Sequence, residues 1–108
     1  MEYRDLIEQL SECAMVCNHC ASACLQEKNV EMLSACIRLD LDCADICTLA
    51  ARMLARGSQH GIHLLTECRE ICFACAEECE RHSHMEHCEK CAEACRSCAE
   101  LCAEEIAP

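Results

Sequence analysis

Residues 68–79 read Cys68-Arg69-Glu70-Ile71-Cys72-Phe73-Ala74-Cys75-Ala76-Glu77-Glu78-Cys79, a CxxxCxxCxxxC run. Spacings of four, three and four put every cysteine on one side of an α-helix, because residues three and four apart stack on the same face. The run recurs at Cys13, Cys17, Cys20 and Cys24, and in extended form at Cys88, Cys91, Cys95, Cys98 and Cys102. A fourth version with one gap is Cys36, Asp40, Cys43 and Cys47. No segment alternates with period 2, so four helices with a sulfur stripe each, and no sheet, are expected.

Working outward, the helices should span residues 2–27, 30–56, 59–81 and 84–106. Leu6 and Leu10 lead into the first stripe, Leu33 into the second and Gly61 and Leu65 into the third, while Ala50 and Leu54 close the second. Asn29 is placed to cap helix 2, Gly57 to end it, and Ser83 to form a capping box with Glu86. A shift of 55 residues carries Cys13, Cys17, Cys20, Cys24, Cys36, Cys43 and Cys47 onto Cys68, Cys72, Cys75, Cys79, Cys91, Cys98 and Cys102. The same shift carries Asp40 onto Cys95. The chain therefore reads as a duplicated αα-hairpin, with halves of about 1–56 and 57–108. Such short links make antiparallel neighbours, so the expected fold is all-α: one domain, 1–108, forming an up-down-up-down four-helix bundle with helices of roughly 35 Å.

Composition sets further bounds. Leu, Ile, Val and Phe number only 20 of 108 residues, against 16 Cys and 15 Ala, so the core must be narrow and built from small side chains. The net charge of −11 argues against nucleic acid and anionic membranes as partners. Met1-Glu2-Tyr3-Arg4-Asp5 lacks the basic and apolar regions of a secretory signal, and no apolar run approaches a membrane span. A cytoplasmic location follows as an expectation, and there thiols stay reduced.

Antiparallel order gives the bundle two unlike ends. Leu6, Ile7, Leu10, Met53, Leu54, Ile62, Leu65 and Ile106 gather at one as an apolar plug. Cys24, Met32, Leu33, Cys79, His82, His84, Met85, His87 and Cys88 gather at the other, a mouth rich in soft metal donors.

Sixteen thiols on four seams exceed what core filling needs. Disulfides fit parallel side chains within one stripe poorly, although interhelical bridges after oxidation stay open. Iron–sulfur clusters are usually wrapped by a cysteine-bearing loop, and the ferredoxin run is absent. Thiolate binding of discrete metal ions fits best. Zinc would occupy four-cysteine sites carrying two surplus negative charges each, and several of these in one low-dielectric tube would repel. Cu(I) suits soft thiolates, and a monovalent ion shared between bridging thiolates makes a neutral array of up to ~16 ions.

The repeated CxxxCxxCxxxC helices and the His-bearing end resemble the four-helix-bundle copper storage proteins, specifically their cytosolic branch, over essentially the whole chain. The resemblance implies a homotetramer of bundles, each storing many Cu(I) ions loaded through the mouth. It carries the sixteen seam cysteines over as Cu(I) ligands and His82, His84 and His87 as entrance residues. The departure is Asp40, since a carboxylate is a poor Cu(I) ligand; either helix 2 is slightly rotated with Leu39 inward and Asp40 at the edge, or Asp40 supports the ligating cysteines from behind. His19 reads as a solvated histidine, His60 and His63 as exposed residues, and Met15 and Met53 as packing.

The expected function is copper storage and detoxification rather than catalysis, because no nucleophile, base and orienting group can be assembled from these helix surfaces. A copper chaperone or small-thiol carrier would supply the metal. Two alternatives remain: a zinc or general thiol buffer with tetrahedral four-cysteine sites, and a disulfide-based redox-responsive structural protein. Ile37, Leu41 and Phe73, off the main seam, hint at a bundle–bundle interface.

Overall fold

The computed structural model describes residues 1–106; Ala107 and Pro108, at the end of the expected domain span, lie outside the described residues. Four helices, α1 Arg4–Cys24, α2 Ser34–Ala55, α3 Leu65–Glu80 and α4 Glu86–Ile106, form an antiparallel bundle of 44 × 22 × 17 Å, with no strand among the described residues. Each helix packs on its two neighbours in chain order, and α4 closes the ring against α1. Register is visible in the sulfurs. Cys36, Cys43 and Cys47 of α2 meet Cys79, Cys72 and Cys68 of α3 in reverse order. Cys13, Cys17 and Cys20 of α1 likewise meet Cys95, Cys91 and Cys88 of α4.

All sixteen cysteines are fully buried, between Leu6, Leu10, Leu54 and Leu65 at one end and Leu33 at the other. Buried alanines, Ala14 and Ala21 on α1 through Ala92 and Ala99 on α4, flank the seams and let the backbones close in. The expected plug is present, with Ile7, Ile62 and Ile106 half-buried around the leucines.

Helix ends depart from expectation. The first turns of helices 2 and 3 are 3-10 segments, Val30–Leu33 and Gly61–Leu64, so the third α-helix is only 16 residues long. Asn29 makes no side-chain cap; the turn is closed by the Met32 N–H donating to the Asn29 carbonyl at 3.0 Å. The fourth helix starts at Glu86, two residues later than expected, so Ser83 lies outside its first turn and the capping box does not form. The His82 and Met85 N–H groups instead donate to the Cys79 and His82 carbonyls, at 2.9 and 3.0 Å.

Gly57 does end α2 as expected. At φ +73° it closes a Schellman motif, with the Ser58 N–H on the Met53 carbonyl and its own N–H on that of Leu54. Gly61 is needed for closeness, since a Cβ there would meet Leu54 Cδ2 at 3.0 Å. Of the apolar residues off the seam, Ile37 is half-buried, Leu41 and Leu49 are exposed, and Phe73 lies 4.9 Å beneath the Arg96 guanidinium. That guanidinium is held by both carboxylate oxygens of Glu80, at 2.6 and 2.8 Å.

With so few large side chains, each plug leucine should matter. Leu10→Ala is expected to lower the unfolding free energy of the reduced, metal-free protein by about 2–4 kcal/mol. Denaturant titration under reducing conditions measures this, and the thiol count stays at sixteen.

Candidate metal centre

Because every stripe faces inward, the sulfurs form one connected column. Sulfurs four residues apart on one helix lie 3.9–4.0 Å apart, as in Cys43–Cys47 and Cys68–Cys72. Across helices the nearest pairs are closer, 3.4 Å for Cys36–Cys79 and 3.5 Å for Cys17–Cys95, Cys43–Cys72 and Cys47–Cys68, while others such as Cys47–Cys98 lie at 4.0 Å. Four-sulfur groups within 4.8 Å of one another include Cys13, Cys43, Cys47 and Cys72, then Cys13, Cys17, Cys43 and Cys95, then Cys17, Cys75, Cys91 and Cys95. Others are Cys47, Cys68, Cys72 and Cys98, and, nearest the mouth, Cys20, Cys24, Cys36 and Cys88. Cys13, Cys17, Cys43, Cys47, Cys72 and Cys95 each belong to two of these groups. The sulfurs are shared, not partitioned.

Burial opposes ionisation of these thiols. It pushes Cys24 up to about 11, helped by negative charge on Cys36, and raises Cys88 in the same way. Metal binding at these thiols would require loss of their protons, and so would be coupled to proton release.

Asp40 is fully buried and faces inward, which overturns the reading of a rotated helix 2 with Leu39 inside. Its Oδ1 accepts from the thiols of Cys75 at 3.1 Å, Cys91 at 3.2 Å and Cys79 at 3.7 Å, and its Oδ2 from Cys36 at 3.8 Å. Burial, then the negative charge of Cys91 and Cys36, pushes its carboxyl up to about 8. At neutral pH it is largely a neutral acid.

The expected histidine mouth divides in two. His82 and His84 line a cleft of about 500 Å³ with Met32, Met85 and Leu33. His87 does not; it lies in a separate groove between α1 and α4, beside His19 and Met15. His82 is half-buried, and its Nε2 lies 3.0 Å from Glu78 Oε2, which also meets Arg81 through Oε1 at 3.2 Å. The Nε2 of His87 is buried and, among the described residues, has no hydrogen-bond partner. Nor is the tube open: Leu33 is buried at the floor of the cleft, and the thiols of Cys24, Cys79 and Cys88 behind it are fully covered. Leu33 was legible as a seam residue, but its closing role depends on how the 3-10 turn seats it. The Glu78–His82 pair, an i,i+4 spacing, was legible and was missed.

A bundle whose core is a sealed, connected column of thiols, with His and Met at one end, is a thiolate metal-binding protein. The family profile described as copper storage protein matches residues 1–107. The uncharacterized cysteine-rich protein YhjQ of Bacillus subtilis strain 168 is 46% identical over 99 residues, which cover 92% of this chain and 87% of that protein. A cytosolic copper storage protein from Streptomyces lividans, solved with five coppers, matches at 46% identity and TM-score 0.90, covering 95% of this chain and 90% of the other. The Cu(I)-bound copper storage protein BsCsp3 matches at 41% identity and TM-score 0.93, covering 99% and 100%. This chain belongs to the copper storage protein family.

Asp40 gives the site a pH signature. Its carboxyl ionises near 3.8 when exposed and near 8 when buried, so wild-type stability falls as pH rises between those values. Asp40→Asn removes that loss. The metal-free variant should match wild type near pH 4 and exceed it by about 2–5 kcal/mol at pH 8, in denaturant unfolding of reduced protein.

Proposed function

We propose that the chain is a cytoplasmic Cu(I) store, in which the sixteen cysteines hold many ions as one array of bridging thiolates. The sharing of sulfurs between overlapping groups carries this reading. A closed zinc site made of four separate thiolates keeps two negative charges, which a buried row of such sites would have to bear without water. A Cu(I) ion can bridge two thiolates, each bonded to the next ion, so the array stays neutral in a core from which water is excluded. Sealed thiols suit storage, since a redox or nucleophilic cysteine needs exposure that none of these has.

In this reading a chaperone or small-thiol carrier delivers Cu(I) to the His82, His84, Met32 and Met85 cleft, with His87 handling the ion near the outer sulfurs. Local movement of the segment around Leu33 then admits it, and each thiol yields a proton as the metal binds. Release requires a competing ligand or a return of protons. The protein is not an enzyme on this reading. Assembly as a homotetramer would use faces where Leu41, Leu49 and Phe73 are exposed, and sedimentation velocity decides that part.

The reading is tested by anaerobic titration of reduced protein with Cu(I) against a chromophoric Cu(I) chelator, with zinc in parallel. More than ten equivalents should bind before the chelator takes any, and zinc should not displace them. Saturation near four equivalents, with zinc competing equally, would replace the store with separate tetrahedral sites. The array also makes capacity uneven along the column. Cys43→Ser, which removes a sulfur common to two groups, should cost more copper in this titration than Cys24→Ser, which removes a sulfur near the end.

A further inference from the structure

Between α1 and α4 runs a groove of about 540 Å³, lined by Met15, Val16 and His19 from one helix and Glu86, His87 and Lys90 from the other. It shares no lining residue with the cleft that holds His82 and His84. Each histidine immediately precedes a core cysteine, Cys20 or Cys88, and those two sulfurs lie 3.9 Å apart. One residue back is about 100° round the helix, so both imidazoles belong to the flank just outside the group of Cys20, Cys24, Cys36 and Cys88. Met15 stands one turn before His19 on the same stripe and is 64% exposed, so it is not the packing residue the sequence suggested.

The charges in the groove cancel, since Lys90 Nζ lies 2.8 Å from Glu86 Oε1. What remains is a thioether and two imidazoles over Val16. Such a set suits a soft monovalent ion; its one carboxylate, Glu86, is paired with Lys90, far short of the oxygen cage that Mg²⁺ or Ca²⁺ requires. The buried Nε2 of His87, which has no hydrogen-bond partner among the described residues, is the independent sign of an imidazole left unsatisfied beside the groove.

We propose that Met15, His19 and His87 form an external site for one Cu(I) ion, outside the sulfur core and apart from the mouth cleft. The identity of the ion rests on the copper-storage reading; the site itself rests on the groove. Placed beside the outermost sulfurs, it holds an ion next to the column without competing with thiolates for it.

Cu(I) is diamagnetic, so NMR of the whole protein reads the site directly. The core is first filled with Cu(I) to its own end point, and one further equivalent is added as an acetonitrile complex. The ring resonances of His19 and His87 and the methyl resonance of Met15 should shift together and saturate at one added equivalent. Met15→Leu with His19→Gln, both at exposed positions, should abolish the His87 shift and leave the core end point unchanged. Unmoved His19 and Met15 resonances, or a His87 shift that persists in the variant, would overturn the site. Failure of the storage reading is separate, because it appears as a low end point in the first step.

Discussion

The structure depends on how closely four helices can approach when only cysteine and alanine stand between them. A leucine seam would set the helices apart by its own bulk and leave no place for ions. Here the small side chains bring opposed sulfurs of α2 and α3 as close as 3.4–3.6 Å, where sulfurs one turn apart on a helix lie at 3.9–4.0 Å. Neighbouring helices thereby become one continuous donor surface, and metal capacity becomes a property of the bundle. The cost is a core that buries little apolar area per residue. The leucine plug offsets part of this, and metal bound more tightly by the folded chain than by the unfolded one would add to it.

Charge follows the same logic. A chain of net charge −11 keeps its acidic groups outside, with one exception. Asp40 stands among four thiols where the internal repeat would place a fifth sulfur, and burial holds it protonated at neutral pH. Asp40 therefore adds no charge to the metal-free column at neutral pH, and a store in which each Cu(I) replaces one thiol proton, as proposed, would preserve the charge of the column at every step. Zinc would not, because each of its four-thiolate sites keeps two negative charges in a medium that screens poorly.

Much of this was legible in the sequence because sulfur at spacings of three and four is compatible with only one secondary structure. Four helices, their antiparallel order, the seams and the two unlike ends all follow from that spacing and the 55-residue repeat. The first turns were not legible, since a one-turn 3-10 segment and an α-turn share the same i,i+3 pattern; Val30–Leu33 and Gly61–Leu64 looked like α-helix for that reason. The histidines were legible as a cluster but not as lining two separate clefts. Within six residues of a loop-to-helix junction, His82 turns back to Glu78 while His87 lines the groove between α1 and α4 with His19. Nor could spacing say which sulfurs group together, because that is set by the relative rotation of four helices.

The most direct measurement of the central claim is X-ray absorption at the copper K edge of the fully loaded protein. Shared thiolates are expected to give sulfur-dominated coordination with a clear copper–copper scattering path, since each bridging sulfur holds two ions together. Sulfur coordination with no metal–metal path would contradict the account, leaving isolated ions in separate sites however many were bound.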